Sequence, residues 1–296
     1  MAFRSGFVAV IGKPNVGKSS LVNKLVGEKV SITSPKAQTT RNRIFGIKNG
    51  KDYQIVFVDT PGVQHTKTKL GEYMSDVTNK ASTDVDAIVV VLDALRVGHE
   101  DYKIIEKFAN VKCPVFLVLN KIELTNYEKM YPILAKLNEY KFVSKFITTS
   151  AHRNLNIDEL EQEIIKILPE GEPYYPTDEY TDKSVRFMSG EIIREKALLY
   201  LQEEIPHGLA IDITSFEESS KTIKIAANII TENERHKQII IGKNGEMLKQ
   251  IGIAARHDIE ELVGGKVNLE LFVKVRKDWK NDAMMLSDLG FNKKDN

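Results

Sequence analysis

Short apolar runs alternate with longer amphipathic segments over the first 168 residues of the chain. The apolar runs have the length of buried strands, and the segments between them repeat apolar residues with a helical period. The predicted strands are 7–11, 54–59, 87–93, 114–120 and 145–149, and the predicted helices are 20–25, 101–110, 127–140 and 157–168. Strands that alternate with helices predict an α/β domain with a mostly parallel sheet covered on both faces.

The pattern breaks down between residues 169 and 184. Pro169, Pro173 and Pro176 fall in this stretch, and proline is excluded from helix interiors and from central strands. We therefore predict a first domain over 1–168, a linker over 169–184 and a second domain over 185–296.

The second domain combines helices and strands in a different order. The pattern predicts a helix over 190–204, strands over 210–216 and 222–231 joined by a turn at 217–221, helices over 235–241 and 246–263, and a strand over 266–275. This order indicates an α+β fold. The long helix carries one apolar stripe that we predict to be core, formed by Met247, Leu248, Ile251, Ala255, Ile259 and Leu262.

Composition narrows the class of protein. The 296 residues are 42% hydrophobic, which is enough for two cores, and the formal net charge of +1 gives no overall attraction to nucleic acids or membranes. The single Cys113 excludes a disulfide framework within the chain and fits a reducing compartment. The longest apolar run, 87–92, is too short to span a bilayer. A cytoplasmic location follows as the expectation.

A phosphate-binding loop directly follows the first predicted strand and opens into a predicted helix. Its residues are Gly12, Lys13, Pro14, Asn15, Val16, Gly17, Lys18 and Ser19. This is the P-loop pattern in its required context, where backbone N–H groups and the positive end of a helix converge on phosphate oxygens. Lys18 would reach the terminal phosphates, and Ser19 would bind Mg²⁺.

A second phosphate-side motif ends the strand 54–59. Asp59, Thr60, Pro61 and Gly62 form it. Read alone, it is also typical of an ordinary turn after a strand. About forty residues after a P-loop, it indicates the aspartate that holds Mg²⁺ in such proteins, with the Gly62 N–H available to the terminal phosphate.

Two later loops resemble the base-reading loops of GTPases. Asn120 and Lys121 begin the first, and Ser150 and Ala151 form the second. The resemblance implies guanine nucleotides, GTP and GDP, as ligands. Glu123 stands where the family has aspartate. It keeps the carboxylate on a side chain one methylene longer, so we expect altered geometry at the guanine edge.

The segment 34–41 resembles the first switch of the Era branch of TrmE-Era-EngA-like GTPases. The motif carrying the likeness is Gln38, Thr39, Thr40 and Arg41. The resemblance implies that one threonine binds Mg²⁺ when a γ-phosphate is present. Thr40 is favoured because it directly precedes the arginine, and Thr39 is the alternative.

The second switch, which runs on from Asp59 to Val63, lacks a familiar catalytic group. Val63 stands where Ras-like GTPases carry a glutamine that orients water. Hydrolysis must then use another device or remain slow until a partner assists. Related GTPases with asparagine at the position of Asn15 use it to hold K⁺, whose charge stabilises the transition state. The alternative is that Asn15 only caps the loop. We expect His65 to be an exposed switch residue.

The second domain contains a Gly-x-x-Gly loop between two predicted helices. It consists of Gly242, Lys243, Asn244 and Gly245. This position matches the loop by which type II KH domains approach an RNA backbone. We predict Lys249 and Arg256 beside it. Residues 181–296 carry 18 basic and 19 acidic side chains, so binding must be local. Trp279 would either stack on a base or pack inside, and packing is favoured.

Together these motifs resemble the Era GTPases over essentially the whole chain. The resemblance implies a monomeric, GTP-hydrolysing factor that binds the 3′ region of 16S rRNA, assists maturation of the 30S ribosomal subunit and couples RNA affinity to the bound nucleotide. It also implies peripheral association with the inner face of the cell membrane, and we expect the tail 283–291 to dock on the KH core. The alternatives are a membrane-associated regulatory GTPase whose second domain binds protein, and an ATP-dependent P-loop kinase.

Overall fold

The computed structural model describes residues 2–63, 67–219 and 222–291. In the first domain, six strands form one sheet: β1 (Arg4–Ile11), β2 (Ile44–Asn49), β3 (Tyr53–Asp59), β4 (Ala87–Asp93), β5 (Val115–Asn120) and β6 (Lys145–Thr148). Their order is β2-β3-β1-β4-β5-β6. All neighbours are parallel except β2, which runs antiparallel to β3. The predicted α/β class is therefore confirmed.

The described part of the first domain has five helices: α1 (Lys18–Val26), α2 (Lys69–Ala81), α3 (His99–Glu106), α4 (Tyr127–Leu137) and α5 (Ile157–Ile167). Side chains alternate along each strand, so Val89 faces the core under α1 and α5 while Ile88 and Val90 face the core under α3 and α4. Strand β4 is buried on both faces, which explains its unbroken apolar sequence.

The sequence analysis missed β2 and α2. Strand β2 is an edge strand interrupted by Gly46 and Lys48, so its alternation is weak. Helix α2 did carry a signal, because Leu70, Tyr73, Met74 and Val77 repeat at helical spacing and are all buried. The polar loops on either side of α2 obscured this pattern, so no helix was predicted there.

The second domain contains α6 (Val185–Tyr200), β7 (Ala210–Glu218), β8 (Thr222–Thr231), α7 (Glu234–Ile241), α8 (Glu246–Val263), β9 (Lys266–Val275) and α9 (Ala283–Asp288). The predicted element order is confirmed. Strand β8 lies centrally, antiparallel to β7 and parallel to β9. Helix α6 starts five residues before its predicted start, because the Ser184 hydroxyl caps it by accepting the Phe187 N–H at 3.2 Å. It also ends earlier, at Tyr200.

Residues 169–184 pack along the first sheet. The buried Gln54 amide donates to the Tyr175 carbonyl at 2.8 Å and accepts the Tyr174 N–H at 2.7 Å. The Ile47 N–H donates to the Tyr180 carbonyl at 2.8 Å. The segment between the two folds is therefore held by specific contacts, while the division at 168 and 185 stays a prediction.

An apolar cluster joins the two domains through the carboxyl-terminal segment. Trp279 is fully buried, its indole N–H donates to the Gly208 carbonyl at 3.0 Å, and its ring stacks near Phe291. The packing interpretation of Trp279 is confirmed. Leu286 of α9 packs in the same cluster, with Ala210 and Ile230 of the second sheet and with residues of α2.

The prediction that the whole apolar stripe of α8 is core is wrong for one residue. Ile251, Ala255 and Ile259 are fully buried, and Met247 and Leu248 pack partly buried against the same core. Leu262 is 40% exposed. It lies in the last turn of α8, where the adjacent Val263 packs against the core instead.

Candidate nucleotide site and nucleic-acid interface

The phosphate loop wraps the start of α1 at the carboxyl edge of the sheet. Gly17 has a φ of 97°, and a Cβ added there would lie 2.3 Å from the Asn120 side-chain nitrogen. Only glycine fits this position. No side chain caps the first turn of α1 among the described residues, so its N–H groups remain directed at the loop. This is a site for phosphate oxygens.

Lys18 is held inside this loop. Its ammonium donates to the carbonyls of Gly12 at 3.1 Å and Lys13 at 3.0 Å. Burial lowers the pKa of Lys18 to about 8, although nearby Asp59 partly offsets the effect. Lys13 instead points away and pairs with Asp101 at 2.5 Å. Of the two lysines of the loop, Lys18 is therefore the one whose ammonium lies inside it.

Asp59 is a buried carboxylate without a hydrogen-bond partner among the described residues. Burial raises its pKa, while Lys18 and the nearby Ser19 and Ser31 hydroxyls act in the opposite direction. Uncompensated buried carboxylate oxygens are costly. A cation beside them would remove that cost.

The two predicted hydroxyl ligands meet next to Asp59. The Ser19 and Thr40 hydroxyl oxygens are 2.8 Å apart, and Thr40 is buried. Thr39 turns away, since its hydroxyl donates to the Lys36 carbonyl at 2.6 Å. This geometry favours Thr40 over Thr39. Carboxylate and hydroxyl oxygens together suit a hard divalent cation such as Mg²⁺.

Asn120 joins the phosphate loop to the predicted base loops. Its amide nitrogen donates to the Val16 carbonyl at 3.0 Å. Its amide oxygen accepts the Ala151 N–H at 3.1 Å and the Thr149 hydroxyl at 3.2 Å. The Ala151 N–H is therefore engaged within the protein. Asn120 aligns three loops, which the sequence motif alone did not reveal.

A cavity of about 550 Å³ opens beside these loops. Its walls include Asn120, Lys121, Glu123 and Ala151. One Glu123 carboxylate oxygen is buried without a partner among the described residues. Lys121 is occupied by Asp93 at 2.7 Å and also donates to the Asn15 carbonyl. The Ser150 hydroxyl accepts the Arg153 N–H at 3.0 Å and so shapes its own loop.

The second switch begins tightly bound to the phosphate loop. The Thr60 hydroxyl donates to the Val10 carbonyl at 2.9 Å, and the Val63 N–H donates to the Gly12 carbonyl at 3.0 Å. Gly62 lines the same cavity as Lys18 and Ser19. The Pro61 carbonyl accepts a hydrogen bond from the Thr78 hydroxyl. His65 lies outside the described residues.

Sequence reasoning missed a set of contacts from α6 to the first switch. Arg194 donates to the Gln38 and Thr39 carbonyls, and Glu195 accepts the Thr33 N–H at 2.8 Å. The Arg41 guanidinium is buried, donates to the Leu209 carbonyl at 2.5 Å and has its pKa lowered to about 9 by burial. About 155 residues separate Arg194 from Thr39, and no spacing or motif links them.

The Gly-x-x-Gly loop connects α7 to α8. Gly242 and Gly245 have φ values of 74° and 79°, which glycine adopts without strain. Lys243 and Asn244 are exposed at its tip. Beside the loop, a groove of about 330 Å³ is lined by Lys249 and Arg256 on α8 and by apolar side chains of β9. The predicted basic residues therefore share one groove with the loop.

The fold and this pair of sites define a P-loop nucleotide-binding domain joined to a KH domain. The family described as 50S ribosome-binding GTPase matches residues 7–121, and the KH domain family matches residues 204–280. GTPase Era of Clostridium acetobutylicum is 46% identical over 98% of both chains. GTPase Era of Caldicellulosiruptor saccharolyticus is 49% identical over the full length of both. The chain belongs to the Era GTPase family.

Two solved Era structures match the whole fold. An Aquifex aeolicus Era variant bound to GDP and AlF4⁻ has a TM-score of 0.93 at 38% identity, covering 98% of this chain and 99% of that one. An Era complex with MgGDPNP and nucleotides 1506–1542 of 16S ribosomal RNA gives the same values.

Within the described residues, no helix is long and apolar enough to span a membrane.

Proposed function

We propose that this chain binds GTP with Mg²⁺, hydrolyses it to GDP and phosphate, and uses the nucleotide state to control RNA binding in assembly of the small ribosomal subunit. Binding of a guanine nucleotide is supported by the hydrogen bond from Asn120 to the Val16 carbonyl, which ties the phosphate loop to the loop of Glu123. One Glu123 carboxylate oxygen, in the wall of the neighbouring cavity, is buried without a partner among the described residues. Solved Era structures with GDP or GDPNP support it. ATP lacks the donors that Glu123 would accept, so the kinase alternative is disfavoured.

Each part of the site has a distinct role in this proposal. The N–H groups of the loop 12–19 and the Lys18 ammonium hold the β- and γ-phosphates, and Gly62 contributes an N–H near the γ-phosphate. Ser19, Thr40 and Asp59 would hold Mg²⁺, which neutralises charge developing on the phosphate oxygens. Glu123 accepts hydrogen bonds from the guanine N1–H and 2-amino groups. Ser150 and Ala151 shape the neighbouring wall.

Water activation requires a device other than Val63, whose side chain cannot orient water. The Asn15 amide donates to the Pro35 carbonyl at 2.8 Å, so a side chain of the phosphate loop meets the first switch there. A K⁺ site there would use the Asn15 amide oxygen together with carbonyl oxygens of the first switch.

Replacing Na⁺ by K⁺ is expected to raise the intrinsic hydrolysis rate at least tenfold, because a fixed positive charge stabilises the transition state. Single-turnover rates at equal ionic strength measure the effect. Asn15→Asp provides the comparison, since its carboxylate keeps an oxygen ligand while Asn15→Ala removes it. Equal rates in the two salts would exclude the site.

The RNA part rests on the KH loop and its groove. A solved Era structure holds the 3′ nucleotides of 16S rRNA, and that match covers 98% of this chain. The family description that mentions the 50S ribosome matches only residues 7–121. We therefore assign the RNA of the small subunit, and a role in 30S maturation, to this chain.

Lys243→Asp combined with Asn244→Asp is expected to reduce RNA affinity by at least 100-fold, because two carboxylates would face the phosphate backbone. Fluorescence anisotropy with a 3′-terminal 16S rRNA fragment measures it at fixed salt. Lys166→Asp on the exposed face of α5 is the control for added negative charge. GDP affinity should stay unchanged. Retained RNA binding would instead favour a protein partner for this domain.

The same proposal includes a monomeric, cytoplasmic protein with peripheral association at the inner face of the membrane. The near-zero net charge gives no strong electrostatic drive toward anionic lipid. In this proposal the nucleotide state acts on RNA affinity through the switch contacts and does not depend on membrane binding. The contacts between α6 and residues 33–41 provide a direct physical connection between the nucleotide site and the KH domain.

A further inference from the structure

The backbone around Thr40 is held from outside its own domain. Thr40 contacts the phosphate loop through Ser19, whereas its neighbours contact the KH domain. We name Glu191, Arg194 and Glu195 of α6 the α6 clamp. Arg194 and Glu195 contact the segment 33–39 directly, and Glu191, one turn earlier on the same helix, holds the Arg194 side chain.

Arg194 is the central member of the α6 clamp. Its side chain is 3% exposed. It donates to the Thr39 carbonyl, and to the Gln38 carbonyl at 3.4 Å. Glu191 fixes the guanidinium with two bonds, at 2.8 Å from Nε and 2.5 Å from Nη2. A planar guanidinium held this way has little freedom left to lose when it binds the switch.

Glu195 holds the other end of the same segment. One carboxylate oxygen accepts the Thr33 N–H at 2.8 Å, and the other accepts the Lys29 ammonium at 2.6 Å. Glu195 is buried. The switch backbone is therefore fixed at Thr33 and at Thr39 by adjacent residues of one helix.

We propose that Arg194 is a positioning residue for the Mg²⁺ ligand Thr40, and that the KH domain thereby stabilises the triphosphate-binding form of its own G domain. Arg194 fixes the Thr39 carbonyl, which belongs to the peptide unit directly before Thr40. That peptide sets where the Thr40 hydroxyl lies relative to Ser19. The proposal rests on the GTPase function proposed above, and adds a group that touches neither nucleotide nor metal.

Local charge explains why Glu191 belongs to the α6 clamp. The buried Arg41 lies close enough to Arg194 for each cation to disfavour the other, and this repulsion contributes to the lowered pKa of Arg41. Glu191 compensates the repulsion. Removing Glu191 should therefore weaken the hold on the switch even though Glu191 makes no contact with it.

Arg194→Gln is expected to lower affinity for a non-hydrolysable GTP analogue with Mg²⁺ by about tenfold, while GDP affinity changes less than twofold. The reason is that the switch must then be ordered by the triphosphate alone. The Mg²⁺ concentration for half-maximal analogue binding should rise, and kcat should fall more than KM changes. Arg194→Lys keeps the charge and should recover part of the loss.

Arg186→Gln is the matched control, because Arg186 lies on the exposed face of α6 and donates to the Ile213 carbonyl of its own domain. Equal losses of GDP and analogue affinity in Arg194→Gln would overturn the proposal, as would unchanged analogue affinity. If Arg194→Gln does not fold, Glu191→Gln is read by the same criteria. Failure of the wild-type chain to bind the analogue would instead overturn the proposed function.

Discussion

Replacing Lys18 by alanine is expected to lower GTP affinity by about 10³-fold. The ammonium would make two or three charge-assisted hydrogen bonds to phosphate oxygens, each contributing roughly 1.5–3 kcal/mol, and the total loss of ~4 kcal/mol corresponds to that factor. Its position inside the loop means that no other described lysine can replace it. Isothermal titration calorimetry with a GTP analogue measures the change.

Lys13→Ala gives the comparison from the same loop. The Lys13 side chain points away from the interior of the loop and pairs with Asp101. We expect a loss of less than about tenfold, because the altered ion pair acts on the loop indirectly. Similar losses in both variants would mean that general loop stability, rather than direct contact by Lys18, determines affinity.

Replacing Glu123 by glutamine is expected to lower GDP affinity by at least about 100-fold and to favour xanthine nucleotides. A carboxylate accepts both guanine donors, whereas an amide offers one acceptor and places its NH₂ against the guanine 2-amino group. Such an unpaired, buried donor is strongly rejected. Xanthine has a carbonyl at that position and matches the amide. Displacement of a fluorescent GDP by GDP, XDP and ADP measures the order.

Glu128→Gln makes the same charge change on the exposed surface of α4 and should leave all three affinities unchanged. Glu123→Asp tests a different point, namely whether the extra methylene of Glu123 impairs its hydrogen bonds to the guanine edge. Tighter GDP binding in Glu123→Asp would show that the extra methylene costs affinity here. If Glu123→Gln kept wild-type preference for GDP, the buried Glu123 carboxylate would not be the group that reads the base.

The α6 clamp provides a route by which nucleotide binding in the first domain and RNA binding in the second domain can affect each other. A nucleotide effect on RNA binding requires a two-state element that both sites bias. The first switch contacts both sides, because Thr40 meets Ser19 of the phosphate loop and the Thr39 carbonyl accepts from Arg194 of α6. By reciprocity, RNA that favours one position of α6 must alter triphosphate affinity by the same factor.

Much of the fold followed from local sequence. Buried strands such as β4 gave unbroken apolar runs, and α8 and β9 were predicted with their observed bounds. Strand β2 was missed because an edge strand gives a weak alternation, whereas α2 was missed although its apolar residues repeat at helical spacing. Leu262 was predicted as core because periodicity identifies a helix face but does not show which residue of the last turn packs against the core.

The sequence by itself determined the chemical parts: the phosphate loop, Asp59, the base loops and the Gly-x-x-Gly loop. Each is a run of adjacent residues whose backbone geometry is set locally. Only the tertiary structure decided that Thr40 rather than Thr39 meets Ser19, that Asn120 ties three loops together, and that Arg194 holds the switch. These contacts join residues that are not adjacent in the chain: the first two form when the first domain folds, and the Arg194 contact forms only when the two domains pack.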